Sequence, residues 1–123
     1  MTRVTIRIDF DDGRHLGHGK VRLLEMVDAH GSISSAARAM EMSYRRAWLL
    51  VDEVNRMFTT PVLATQLGGK GGGHAKLTEF GRMLVAHYRE IERESKAAFS
   101  DKIASLEERL AEPVIASESK QSS

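Results

Sequence analysis

From Thr78 to Leu110 nothing breaks a helical pattern. Leu84, Tyr88, Ile91, Phe99, Ile103, Leu106 and Leu110 recur three, four or eight apart, close to a heptad seam. Thr78 is a good N-cap, and Pro113 follows the last apolar position. About 33 residues at ~1.5 Å each span ~50 Å, longer than a small domain is wide. As part of a monomer, such a helix leaves its outer apolar stripe wet, which usually marks a partner surface. Pairing with a second copy covers it, so Tyr88, Ile91, Phe99, Ile103, Leu106 and Leu110 form the expected dimerisation seam.

The rest of the chain has room for one domain. Cysteine is absent from the 123 residues, which excludes disulfide scaffolds, Cys-ligated zinc and thiol catalysis and fits a cytoplasmic protein. No apolar run approaches a bilayer span, and the N-terminus MTRVTIRIDFDD lacks a signal-peptide core, so no membrane partner is expected. The net charge of +1 argues for no particular partner. Its distribution is uneven, +4 between Arg14 and Arg82 and −2 from Met83 onwards, a pattern compatible with nucleic-acid binding.

Along residues 3–10, Val4, Ile6, Ile8 and Phe10 alternate with polar residues and predict a half-buried strand. Asp11–Gly19 has three glycines and is expected to be a loop. Lys20–His30 has helical spacing ended by Gly31 as a left-handed cap. Ser32 caps a second helix to Met40, and Ser43 a third to about Phe58 with Ala47, Leu50, Val51, Val54 and Phe58 on one face. Val62–Leu67 and His74–Leu77 flank Gly68-Gly69-Lys70-Gly71-Gly72-Gly73 as a β-hairpin with a flexible tip. The order is strand, three helices, hairpin, long helix. It predicts a mainly α (α+β) winged helix-turn-helix, with a DNA-binding unit over 1–82, a dimerisation helix over 78–110 and a disordered tail over 111–123.

At GSISSAARAMEMSYRRAW and GGKGGGHAKLTEFGRML the chain resembles the N-terminal DNA-binding domain of the ModE-type molybdate-responsive regulators. More distantly, its GSIS-AA and LTEFGRMLV stretches resemble the winged domains of LysR-type regulators. The resemblance implies a DNA-binding homodimer, with the third helix in the major groove and wings on flanking DNA. ModE-type proteins also carry C-terminal molybdate-binding domains. This chain stops about ten residues after the long helix, so the expectation is a regulator without that sensor and without a cofactor.

Major-groove readers must project from the exposed N-terminal part of the third helix, which selects Tyr44, Arg45, Arg46 and Trp48. An arginine there can bind guanine O6 and N7 in bidentate fashion. Ser34 and Ser43 sit near helix N-termini that favour phosphate, although a serine in such a place is as readily a plain cap. In the hairpin, Lys70, His74 and Lys76 form a cationic strip. Lys70 precedes Gly71 rather than Ser or Thr, which removes the phosphate-loop pattern. Asp9, Asp11 and Gly13 misplace the ligands of a calcium loop, and His15 with His18 lacks a third ligand, so no metal site is expected. No nucleophile motif appears, and an enzyme is not expected.

These features predict a sequence-specific regulator of transcription whose partners are double-stranded DNA and a second copy of itself. A separate sensor protein or a full-length homologue is a further partner consistent with this design. The rival readings are a winged-helix protein-interaction module, an antagonist of a full-length regulator, and direct oxyanion sensing at the dimer interface.

Overall fold

Residues 2–66 and 73–113 are described by a computed structural model of the chain. The N-terminal alternation holds, with Val4, Ile6 and Ile8 half-buried between exposed neighbours. Only Arg7–Asp9 (β1) pairs as a strand, because its partner His15–Gly17 (β2) is three residues long. The second strand corrects the expectation of a loop over 11–19. It forms because Gly13, at φ +91°, closes a turn in which Phe10 N–H donates to Arg14 C=O at 2.8 Å.

His18–His30 (α1) starts two residues earlier than expected and ends at Gly31, whose φ of +80° supplies the left-handed cap. Ile33–Ala39 (α2) is capped by Ser32, whose Oγ accepts from Ser35 N–H at 3.1 Å. Ala36 and Ala37 are buried in α2, as Ala47 is in Tyr44–Met57 (α3), and these small side chains let the helices approach closely. Leu63–Gln66 (β3) and His74–Leu77 (β4) form the expected antiparallel hairpin, with Leu63 opposite Leu77 and Gln66 opposite His74. The core is one cluster running from Leu16 through α1, α2 and α3 to Tyr88, and the whole is an α+β, winged-helix-like fold. Phe10, Phe58 and Phe80 meet edge to face at its margin.

The long helix is two helices, Glu79–Ala98 (α4) and Ser100–Glu107 (α5), with Phe99 off helical geometry at φ −110° and ψ 15°. Thr78 caps α4 through its Oγ1, which accepts from Gly81 N–H at 2.9 Å. At the break, the Ser100 hydroxyl donates to Ala97 C=O at 3.2 Å, and Phe99 N–H is shared between the Ser95 and Ala97 carbonyls. A serine bonding back into the preceding turn competes with the backbone ladder and bends a helix there.

Tyr88 is not on the exposed stripe. It is 1% exposed, and its hydroxyl donates to Ile6 C=O at 2.7 Å, tying the N-terminal strand to α4. Next to it, Arg89 grips both carboxylate oxygens of Glu25 on α1, at 2.7 and 3.1 Å, and Glu92 at 2.8 Å.

Candidate nucleic-acid interface

The third helix begins where Ser43 Oγ accepts from Arg46 N–H at 3.1 Å. From there Ala47, Val51, Val54 and Met57 face the core. The 3.6-residue repeat then sends Arg45, Leu49, Asp52 and Arg56, spaced i, i+4, i+7 and i+11, to the opposite side. Tyr44, Trp48 and Leu49 are 55%, 45% and 49% exposed, and Arg45 and Arg46 are exposed too.

The hairpin is sewn to the helices from two sides. Asn55 on α3 accepts from Val62 and Leu63 N–H at 2.8 and 3.0 Å, fixing where β3 begins. Asp28 on α1 accepts from Leu77 N–H at 2.9 Å, and Ala75 N–H donates to Gly31 C=O at 2.8 Å. Ala75 and Leu77 are thereby held in the core, and the alternation of the strand turns His74 and Lys76 outwards.

These anchors bring Ser34, Tyr44, Trp48 and His74 around one cleft between α2, α3 and the hairpin. Lys76 lies beyond it, in a groove that shares His74 and runs past Gly31 and Asp28. Ser43, Arg45 and Arg46 lie along a second groove on the outer side of α3 with Leu49 and Glu53. Arg46 also borders a third depression with Arg7, His15 and Lys20, so it leans away from the hairpin while Tyr44 and Trp48 lean towards it. Lys70 falls outside the described residues. Three residues that the sequence reading passed over belong to the same surface, namely Leu49 beside Arg45, and Thr65 and Gln66 at the free end of β3. The four-residue step from Arg45 to Leu49 was the signal available for the first. For Thr65 and Gln66 only the register of the hairpin supplies one.

Local charge leaves this face cationic. Asp52 pairs with Arg56 at 2.8 Å, and Glu53 with the buried Lys20, whose ammonium also donates to His15 C=O at 3.0 Å. Among the described residues no carboxylate comes within ion-pair distance of Arg45, Arg46 or Lys76. His15 and His18 are engaged separately. His15 meets Lys20, while His18 lies between Arg89 and Arg3, and burial together with these two guanidiniums lowers its pKa. Among the described residues no three His, Asp or Glu side chains are grouped to hold a metal. No helix there is long and apolar enough to cross a membrane.

No family model matches the chain. Individual proteins do. A molybdenum transport protein ModE from Azotobacter vinelandii is 38% identical over 91 residues, 74% of this chain and 34% of its own length. The transcriptional regulator ModE of Haemophilus influenzae is 32% identical over 98 residues, 80% of this chain and 38% of its own. The DNA-binding transcriptional dual regulator ModE of Escherichia coli K12 is 34% identical over 80 residues, 65% of this chain and 30% of its own. The chain thus spans about a third of the length of the curated relatives it matches. Over the matched residues this chain is a homologue of the ModE-type regulators.

Proposed function

We propose that this chain binds double-stranded DNA in a sequence-specific manner as a homodimer and regulates transcription, without being an enzyme. The observation that carries this reading is the convergence of Ser34, Tyr44, Trp48 and His74 on one cleft beside Arg45 and Arg46, two cations without carboxylate partners among the described residues. In this reading α3 enters the major groove N-terminal end first and Arg45 contacts a base edge. The hairpin, through His74, Lys76 and Lys70, follows the phosphates of flanking DNA. Ser43 uses its oxygen as the cap of α3 and keeps its hydroxyl proton for a phosphate. Residues 1–82 serve as the DNA-binding unit, and the segment 78–110, interrupted at Phe99, joins two copies. The molybdenum function in the name of the A. vinelandii relative suggests that the regulated genes concern molybdenum.

The test is binding of the purified protein to its own upstream DNA and to a scrambled duplex across a salt series. Tighter, salt-dependent binding to the upstream fragment supports the reading, and equal weak binding to both sinks it. Arg45→Ala should cost about 1–3 kcal/mol at one base position and relax preference there. Lys76→Ala should weaken all sequences alike and lower the salt slope by about one. Equal effects of the two changes on every duplex would contradict this division of labour.

The homodimer is supported by the apolar side chains left open beyond the domain body. Ile91, Phe99, Leu106 and Leu110 are 43%, 52%, 71% and 73% exposed, with Ile103 half-buried among them. A second copy would cover them and set two recognition helices against a pseudo-palindrome. Ile103→Asp should halve the mass measured by light scattering; an unchanged mass would place the seam elsewhere.

A further inference from the structure

The outward face of α3 carries more apolar surface than a solvated helix needs. Tyr44, Trp48 and Leu49 stand about half exposed within six residues, while the core is completed by Ala47, Val51 and Val54 on the other side. Of the three, Leu49 is the one on the outermost row, directly one turn beyond Arg45. It lines the outer groove between Arg45 and Glu53 and has no polar atom to offer. Together with Tyr44 and Trp48 it makes a group of exposed apolar side chains of the kind that marks a contact surface.

The charges around it select the occupant. The carboxylates on the same helix are already paired, Asp52 with Arg56 and Glu53 with Lys20, while Arg45 and Arg46 are not paired among the described residues. Such a rim fits a polyanion that presents apolar groups at its centre. In the major groove of a DNA duplex that group is the C5-methyl of thymine, since the other base edges there offer hydrogen-bond donors and acceptors. We infer that Leu49 is a specificity-determining residue that packs on a thymine methyl. One helical turn rises ~5.4 Å and successive base pairs ~3.4 Å, so that thymine lies one or two base pairs from the base contacted by Arg45. The inference rests on the DNA-binding reading above and names what one further side chain recognises.

Uracil tests it, because deoxyuridine pairs as thymidine does and lacks only the methyl. Duplexes are recovered by repeated binding to the full chain from a randomised pool of about 20 base pairs, then resynthesised with deoxyuridine in place of each thymidine in turn, an exchange whose expected size follows from burial of one methyl. One or two positions should bind about 4-fold more weakly with deoxyuridine. Leu49→Ala should bind the two forms of those positions equally, and Leu49→Met, which keeps an apolar side chain of similar volume, should restore the preference. Leu49 is half exposed, so neither change opens a cavity, and circular dichroism of both variants should match the parent. A parent protein indifferent to every deoxyuridine, or a Leu49→Ala variant that still discriminates, overturns the role of Leu49 and leaves DNA binding standing. Failure to retain any duplex from the pool overturns both.

Discussion

Gly81→Ala is expected to destabilise the protein by about 3 kcal/mol and lower its melting temperature by on the order of 10 °C. A Cβ on Gly81 would stand 2.1 Å from the Val62 carbonyl oxygen and 3.1 Å from a Leu77 methyl. The oxygen belongs to the backbone and cannot swing aside. It accepts Thr78 N–H at 3.0 Å, and Thr78 Oγ1 caps Gly81 in return, so the close approach holds the start of α4 against the start of the hairpin. Moving α4 outwards to admit a methyl therefore breaks this joint and loosens Leu77 and Leu84, which are packed beside it. Gly19 is the contrast. It lies in the first turn of α1, and an added Cβ would meet nothing within 4 Å. Gly19→Ala should be neutral or stabilising by up to about 0.5–1 kcal/mol, through helix propensity and a less flexible unfolded chain. Thermal and urea denaturation of the two variants checks the pair. A Gly81→Ala protein that melts with the parent would mean that α4 and the hairpin do not approach so closely.

What could be read from the sequence was local. Ser32, Ser43 and Thr78 each stand three residues before the N–H they cap, and Gly31 stands where a left-handed residue must end α1. The buried faces of the helices and the two strands of the hairpin likewise follow from spacing. Features made by distant partners were not legible. β2 is three residues among glycines, too short to show alternation, and exists only through its pairing with β1. The grip of Arg89 on Glu25 spans 64 positions, and nothing in either neighbourhood announces it. Tyr88 fits a heptad seam by spacing and shares its helix face with Leu84 and Ile91, yet it lies in the stretch of α4 still packed on the domain body, where its hydroxyl reaches Ile6. At Phe99 the pattern is unbroken, and the interruption comes from one hydroxyl at Ser100 that a count of apolar positions does not register. The candidate interface divides the same way. Arg45, Tyr44 and Trp48 follow from their position on a capped helix, whereas Gln66 joins them only through hairpin register.

Arg89→Met should destabilise the protein at pH 7 by about 2 kcal/mol, below the ~3–5 kcal/mol typical of breaking a fully buried ion pair. The discount follows from exposure, since Glu25 is 37% exposed and can turn to water once the guanidinium is gone. Glu92, at 15%, cannot do so readily, and one of its oxygens is buried without a hydrogen-bond partner among the described residues even with Arg89 in place. The cost therefore falls mainly on Glu92. Adding Glu92→Gln to Arg89→Met should recover part of the loss, while adding Glu25→Gln should recover less. The pH dependence has a definite sign. It comes from His18. In the parent its folded pKa lies below 6.5, so the parent loses stability as pH falls through 6.5 towards that value. Removing Arg89 relieves one of the charges responsible, and His18 Nδ1 lies 4.0 Å from Glu92, close enough for the two to pair when the imidazole is protonated. The gap between parent and variant should accordingly narrow between pH 7 and pH 5, as measured by urea midpoints. No gap at pH 7 would mean that the contact between α1 and α4 is held by the apolar core alone, and a gap that widens with acid would mean that His18 does not carry its pH dependence.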